Sequence, residues 1–412
     1  MFVFSLFLLV SCPKMRYTVP ENHDFHKGVS MLTITDHYTG VLPYPMEKLG
    51  DPSGLFFFDI ETTGLSPKSS QLYLIGCLYT DGTQFHMHQW FAESYADEKL
   101  LLTTFRDYVQ TLPADCLMMH FNGNTFDMPY LRHKYERYHL EFPLESMDNL
   151  DIYRLIRPYK CLLGLPSLRQ KAIEDYLSIP RNDPFDGGQL IAVYEDYLHT
   201  HSPQGLKALL LHNDEDVRNM PLLLAALHLN DYMEAPYELV EQRLHHTTCW
   251  DGTEKDELLV TLSSPIALAR PISLRLDNGT YLTASKDQIR LAVPLCEMTL
   301  KHYFADTKEY FYLPDEDRAI HKSVGIYVDK EHRQRATKDN CYTKKTSIFL
   351  PCPCCMEVDE SSRIIFRQDR KDKAFYLECV TDELQNPALC QSQEDAHLFW
   401  SEYIHAIWKS RR

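Results

Sequence analysis

Apolar and polar positions divide the chain into two parts with different periods. The first opens on Leu55-Phe56-Phe57-Phe58-Asp59-Ile60-Glu61-Thr62-Thr63-Gly64-Leu65, an apolar run that ends in two carboxylates and a Thr-Thr-Gly turn. As a strand it sets Asp59 and Glu61 on one side and Phe58 and Ile60 on the other. Residues 71–79 form a second apolar strand, Asp81-Gly82 a hairpin turn, and residues 84–90 a third strand. From Ala96 the period lengthens, with Leu100, Leu101, Phe105 and Val109 as the stripe of a helix, and residues 116–119 return to a short strand.

His120-Phe121-Asn122-Gly123-Asn124-Thr125-Phe126-Asp127-Met128-Pro129-Tyr130-Leu131 follows. Gly123 permits a tight turn, and Asn124 or Thr125 caps a helix that runs on to Tyr138. Asp127 falls in its first turn, near the carboxyl end of the preceding strand, where ligands of open α/β sheets gather. Residues 147–154 read as a short strand or a turn into a helix, with Asp148 and Asp151 as further acids at that edge or as ordinary caps.

Helices are predicted over 167–176, 190–198 and 206–224. In the last, Leu206, Leu209, Leu210, Val217 and Met220 give a buried side, His212 and Asp216 share a polar face, and Asp214, Glu215 and Arg218 suit a solvated one. The polar loop 181–188, near Arg169, Lys171 and Arg181, reads either as substrate-facing or as solvated surface.

Beyond about residue 230 short strands dominate, at 258–262, 272–276, 280–283, 288–293, 311–313, 363–366 and 374–377, with Asp277-Asn278-Gly279 a hairpin turn and a terminal helix over 394–408. The expected organisation is an N-terminal extension (1–50), an α/β domain with a mixed sheet flanked by helices (51–235), and a β-rich module (245–412). Residues 17–51, broken by Pro43 and Pro45, read as an entry segment lying across the fold.

Composition narrows the function classes. With 42 Lys plus Arg against 58 Asp plus Glu, the net charge of -16 excludes a globally basic polyanion binder, though not a nucleic-acid substrate met by local patches. Residues 318–345 form one such stretch, with eight Lys or Arg against three acids, interleaved with His321, Tyr327, His332 and Tyr342. It suits phosphate steering and a solvated face equally. The apolar stretch at residues 2–10 is too short to span a bilayer and has no preceding cation. A cytoplasmic, membrane-free protein is expected, with twelve reduced cysteines; a start at Met15 or Met31 is one of three readings of the first residues, beside an export signal and a lipoprotein processing site at Leu9-Val10-Ser11-Cys12. Cys352-Pro353-Cys354-Cys355 lacks zinc-site spacing, and phosphate-cradling loops, nucleophile elbows and internal repeats are absent. No oligomeric state follows.

The chemistry lies in the acids. Asp59, Glu61, Asp127 and Asp216 are each placed where an α/β sheet presents ligands, and such a cluster is stable only with counter-cations. Carboxylate oxygens suit Mg²⁺ or Mn²⁺, and two such ions about 4 Å apart would clamp the attacking and leaving oxygens of a phosphodiester.

Three passages, residues 59–65, residues 122–131 and His212-Asn213-Asp214-Glu215-Asp216-Val217, resemble in order and spacing the motifs of the ribonuclease H-like DEDD exonuclease superfamily, in particular its bacterial branch near the proofreading domains of B-family DNA polymerases. The resemblance covers about 170 residues, from Phe56 to Leu227. It implies a five-stranded mixed sheet of order 3-2-1-4-5 and two-metal hydrolysis of phosphodiesters from single-stranded 3′ ends of DNA or RNA. It also implies Asp59, Glu61, Asp127 and Asp216 as ligands of two Mg²⁺ or Mn²⁺ ions. Thr62, Thr63, Leu65 and Asn122 are then candidates for holding the terminal nucleotide, and Phe126 or Tyr130 for stacking a base. One departure stands out: four residues before the last Asp that branch carries Tyr, and here it is His212. A His-bearing branch places its His one position earlier, at Leu211 here. His212 is a candidate general base or outer-sphere donor, and the alternative function is a binding or scaffold protein that keeps the fold without turnover.

Overall fold

The structure, a computed structural model, describes residues 31–248, 252–358, 363–379 and 393–411; the apolar stretch at 2–10 lies outside them. Contacts divide the chain into two units, one ending at His228 and the other starting at Leu229. Among the described residues no helix is long and apolar enough to cross a membrane.

The first unit is built on a mixed sheet of β1 (Met31–Thr39), β2 (Leu55–Thr62), β3 (Leu72–Thr80), β4 (Gln84–Ala92), then β5 (Leu117–His120) after α1 (Glu98–Val109), and β6 (Asn149–Asp151) after α2 (Asp127–Arg137). The strand order is β1-β4-β3-β2-β5-β6. β2, β3, β4, β5 and β6 reproduce the expected five-stranded order. Against expectation, the entry segment contributes a sixth strand, β1, antiparallel to β4 from Met31 opposite Ala92 to Thr39 opposite Gln84.

β2 is central, antiparallel to β3 and parallel to β5. Its Leu55, Phe56, Phe57 and Phe58 are buried, and Phe56 and Phe58 pack their rings on Phe105 of α1. The opposite face is covered by a helical layer: α3 (Ile152–Ile156), α4 (Gln170–Leu177), α5 (Gly187–Thr200) and the long α6 (Pro203–Leu223) complete the unit, and α6 lies against β2, β3 and β4. α4 starts at Gln170 rather than Ser167, and Ser167 Oγ accepts from the Arg169 N–H at 3.4 Å.

Two buried polar links tie helices of this unit to one another and to the sheet. Lys134 of α2, fully buried, lies 2.6 Å from Glu98 Oε1 and donates to Ser70 O, while Glu98 also accepts from the Leu72 N–H and the Tyr138 hydroxyl. Arg218 of α6 reaches Asp214 and, on β1, Asp36 at 3.1 Å, with its guanidinium 4.8 Å from the Tyr38 ring centroid. Asp214, Glu215 and Arg218 are therefore buried and paired, where the sequence suggested a solvated face.

In the second unit α7 (His228–Met233) precedes β7 (Glu238–Thr248), β8 (Glu254–Arg275) and β9 (Tyr281–Tyr303). There follow β10 (Tyr310–Leu313), β11 (Arg318–His321), α8 (Lys322–Gly325), β12 (Gln334–Arg335), β13 (Tyr342–Cys352), β14 (Ile365–Phe366), β15 (Phe375–Glu378) and α9 (Gln393–Lys409). A six-stranded sheet of order β14-β15-β13-β9-β8-β7 and a small β11-β10-β12 sheet make it the expected β-rich region. Strands expected at 258–262 and 272–276 are one strand, β8, whose pairing with β9 shifts register between Ser263 and Leu268 and again before Ile272, around Pro265 and Pro271. α9 buries Trp400, Tyr403 and Trp408. In the basic stretch, Arg318 pairs with Glu316 at 2.5 Å, Lys344 with Asp317, and Lys345 with Glu378 at 2.7 Å. Cys354 and Cys355 sulfurs are 3.8 Å apart, unbonded.

Candidate metal centre

The site begins with a missing side chain. Gly76 of β3 is paired with Asp59, and a Cβ at Gly76 would fall on Asn213 Oδ1 and 3.0 Å from Val217 Cγ2. Glycine therefore lets α6 settle directly on the sheet beside Asp59. Asn213 bridges the two: its Nδ2 donates to Asp59 Oδ2 at 3.1 Å, and its Oδ1 accepts from Gln89 Nε2 of β4 at 3.0 Å.

That contact brings His212 and Asp216 to the carboxyl end of β2. His212 Nε2 is 3.2 Å from Asp216 Oδ2 and 3.7 Å from Glu61 Oε1. Glu61, His212 and Asp216 each offer a donor atom within 4.8 Å of the others, a group able to hold one metal ion. Two carboxylate oxygens and one imidazole nitrogen are donors that fit a divalent cation.

The loop between α4 and α5 supports this group from behind. Asp183 Oδ2 lies 2.6 Å from His212 Nδ1 and accepts from Lys171 and Arg181, and Asp183 Oδ1 accepts the Phe185 N–H. Arg181 Nη1 donates to Asp216 Oδ1 at 2.5 Å and also meets Glu174. The Glu215 carboxylate accepts from the Asn182 and Asp183 backbone amides and from Asn182 Nδ2, which pins the loop to α6. The Asp183 side chain is fully buried and that of Arg181 is 9% exposed, so these two side chains face the site and not solvent.

Asp59 and Asp127 fall outside that three-residue donor group, but their charges are coupled to it. Burial pushes the Asp59 carboxyl well above the usual range, and Glu61, Asp127 and Asp216 push it further, against the Asn213 hydrogen bond. Burial does the same to Glu61, reinforced by Asp216, Asp127 and Asp183 and opposed by Arg181. Asp127, the first residue of α2, is raised to about 7 by burial, less what hydrogen bonds from its own and the Ile60 backbone amides take back, with Asp151 and Asp216 adding to it. Asp183 moves the other way, to about 2: burial would raise it, but hydrogen bonds from Lys171, the Phe185 amide and His212 outweigh that. The acids crowd one another and the basic groups sit behind them, an arrangement that a cation in front would relieve.

The turn after β2 is held by its own hydroxyls: Thr62 Oγ1 donates to Gly64 O, and Thr63 Oγ1 accepts the Gln71 N–H, while Leu65 is 85% exposed. Asn122 has φ 60°, and its N–H donates to Asp151 Oδ1, which also caps α3 at Tyr153. Gly123 is needed for close approach: its Cβ would lie 2.8 Å from His120 Cγ, and its N–H donates to His120 Nδ1. Neither Asn124 nor Thr125 caps α2; Phe126 occupies the cap position without a side-chain bond. Phe126 is half-buried with its ring centroid 5.5 Å from that of Tyr130. Tyr130 is buried and its hydroxyl meets Ser70 Oγ at 2.8 Å, so it offers no face to a base.

Sequence reasoning missed Gly76, Asp183, Asn213 and Glu215, and left Arg181 between a substrate-facing and a solvated loop. Asn213 adjoins His212 and was within reach of a wheel argument. Asp183, 29 residues from its partner and in an aperiodic loop, carried no signal.

These elements define a ribonuclease H-like fold around an acidic and imidazole cluster. Residues 56–228 match the model of the RNase_H superfamily. No curated protein matches the chain. Among solved structures, an "ExoI/SSB-Ct complex" and E. coli exonuclease I in complex with a dT13 oligonucleotide are each 15% identical, with 52% of this chain and 55% of theirs covered at a TM-score of 0.28. Exonuclease I without ligand is 16% identical, with 52% and 56% covered and a TM-score of 0.27. The chain thus spans about half the length of the structures it matches.

Proposed function

We propose that the first unit is a metal-dependent nuclease of the DEDD type, hydrolysing phosphodiesters at 3′ ends of single-stranded nucleic acid. The observation that carries this reading is the donor group of Glu61, His212 and Asp216, with Asp59 and Asp127 electrostatically coupled to it, their carboxyls raised mainly by burial and further by neighbouring acids. The order of the three motifs and the match over residues 56–228 support it.

Glu61 and Asp216 would hold one cation, and Asp59 with Asp127 would complete a site for a second, Mg²⁺ or Mn²⁺ in each case. Bound there, the cations supply a water of lowered pKa and charge stabilisation for the phosphoryl group. The chain's own part is orientation: Asn213 holds Asp59, Arg181 holds Asp216, and Asp183 holds His212. Leu65, exposed after β2, would meet the terminal nucleotide together with Thr62, Thr63, Asn122 and Phe126.

A second reading, binding without turnover, is favoured by one contact. Arg181 already supplies Asp216 with a cation at 2.5 Å and so competes for its charge. The test is release of label from 3′-labelled oligonucleotides, DNA and RNA in parallel, with Mn²⁺ or Mg²⁺. Cleavage stopped by EDTA and lost in Asp59→Asn supports hydrolysis; retained oligonucleotide binding with no cleavage supports the second reading.

A further inference from the structure

His212 makes two contacts of opposite kinds. Its Nδ1 faces Asp183, whose carboxylate is already fixed by Lys171, Arg181 and the Phe185 amide and can only accept, so Nδ1 carries the proton. Its Nε2 faces Asp216 Oδ2 at 3.2 Å and Glu61 Oε1 at 3.7 Å. With Nδ1 turned to Asp183, Nε2 and the two carboxylates are the donor atoms left facing one shared space, a set that suits a cation between them. Two donors each about 2.1 Å from a shared ion are separated by about 3.0–3.6 Å at angles from right to trigonal, close to what is found.

We propose that His212 Nε2 is a direct ligand of the cation held by Glu61 and Asp216, with Asp183 as its positioning residue, so that this site takes a borderline transition-metal ion such as Mn²⁺ or Zn²⁺ ahead of Mg²⁺. The inference rests on the divalent-cation reading above and refines it. Imidazole nitrogen favours first-row transition metals, whereas Mg²⁺ prefers an all-oxygen shell. The carboxylate–imidazole–metal relay fixes the tautomer and the ring plane, and losing the outer partner of such a relay weakens metal affinity about 10–100-fold.

The decisive measurement is electron spin-echo modulation on the full chain with substoichiometric Mn²⁺, read beside Mn²⁺ and Mg²⁺ titration calorimetry. A directly bonded imidazole nitrogen is expected in the wild type and absent in His212→Gln, which should also narrow the preference for Mn²⁺ over Mg²⁺. Asp183→Asn is expected to weaken Mn²⁺ about 10–100-fold in the wild-type background and to have no further effect in His212→Gln, whereas a merely structural Asp183 would act in both. Mn²⁺ bound without nitrogen modulation overturns the ligand assignment and leaves a carboxylate-only site. No uptake of any divalent ion overturns the inference together with the reading beneath it.

Discussion

Asp183 Oδ2 and His212 Nδ1 stand 2.6 Å apart although 29 residues separate them in the chain. The contact joins an aperiodic loop to the middle of α6, and with Arg181 on Asp216 it makes three consecutive loop residues the outer support of the site. Disturbing the loop should therefore disturb the metal donors without touching them.

Glu215→Ala tests this. It removes the acceptor of the Asn182 and Asp183 amides and strands buried donors, so unfolding free energy should fall by about 3 kcal/mol in urea titration. Glu215→Gln keeps an acceptor and should lose less. Hydrogen exchange at Asn182 and Asp183 should accelerate in the Ala variant.

Stability without metal should fall as pH rises. Asp59 and Glu61 lie well above, and Asp127 at about 7 against, the ordinary carboxylate range of about 4, so the folded state binds more protons than the unfolded one across this interval. The Asp127 contribution is full below about pH 4 and is lost as pH climbs through about 7, and Asp59 and Glu61 act in the same direction. Asp183, at about 2, acts oppositely but only on the acid side of this window. Tm in EDTA should thus decline from about pH 5 to about pH 8, and Mn²⁺ should restore it most at the upper end. A Tm in EDTA that rises across that interval would contradict the crowding of these acids.

Arg218→Met should loosen the edge strand. It leaves the buried Asp214 without its partner and cuts the link to Asp36 on β1, for a loss of about 3 kcal/mol. Limited proteolysis should then cut first within residues 31–39.

Gly76→Ala should cost about 1–3 kcal/mol and weaken Mn²⁺ binding, because the added methyl group meets Asn213 and Val217 and lifts α6 from the sheet. Gly205→Ala near the start of the same helix is the control: its nearest neighbour would be 3.6 Å away, and stability should hold or improve. Calorimetry of both variants with Mn²⁺ separates a local clash from a general helix effect.

The central sheet was legible in the sequence because apolar runs such as 55–58 and 72–78 read as strands whatever surrounds them. β1 was not, since an edge strand with one solvated face carries Thr33, Thr35, Asp36 and His37 and looks like loop. The pairing of β8 and β9 past Pro265 and Pro271 was likewise hidden, because bulges absorb prolines that break a regular ladder. Carboxylates at strand and helix ends announced themselves by type and order. Their supports did not: Arg181 and Asp183 look like any polar loop, and Asp214, Glu215 and Arg218 like any wet helix face, until the tertiary structure buries them.

The Lys134–Glu98 pair has a mechanical effect on α2. Lying two turns beyond Asp127, it acts as a key in a shaft, stopping the helix from rolling about its own axis. A roll of about 20° would sweep a carboxylate some 5–6 Å off that axis through about 2 Å. The aim of Asp127 is thus set by an ammonium group that never meets the solvent.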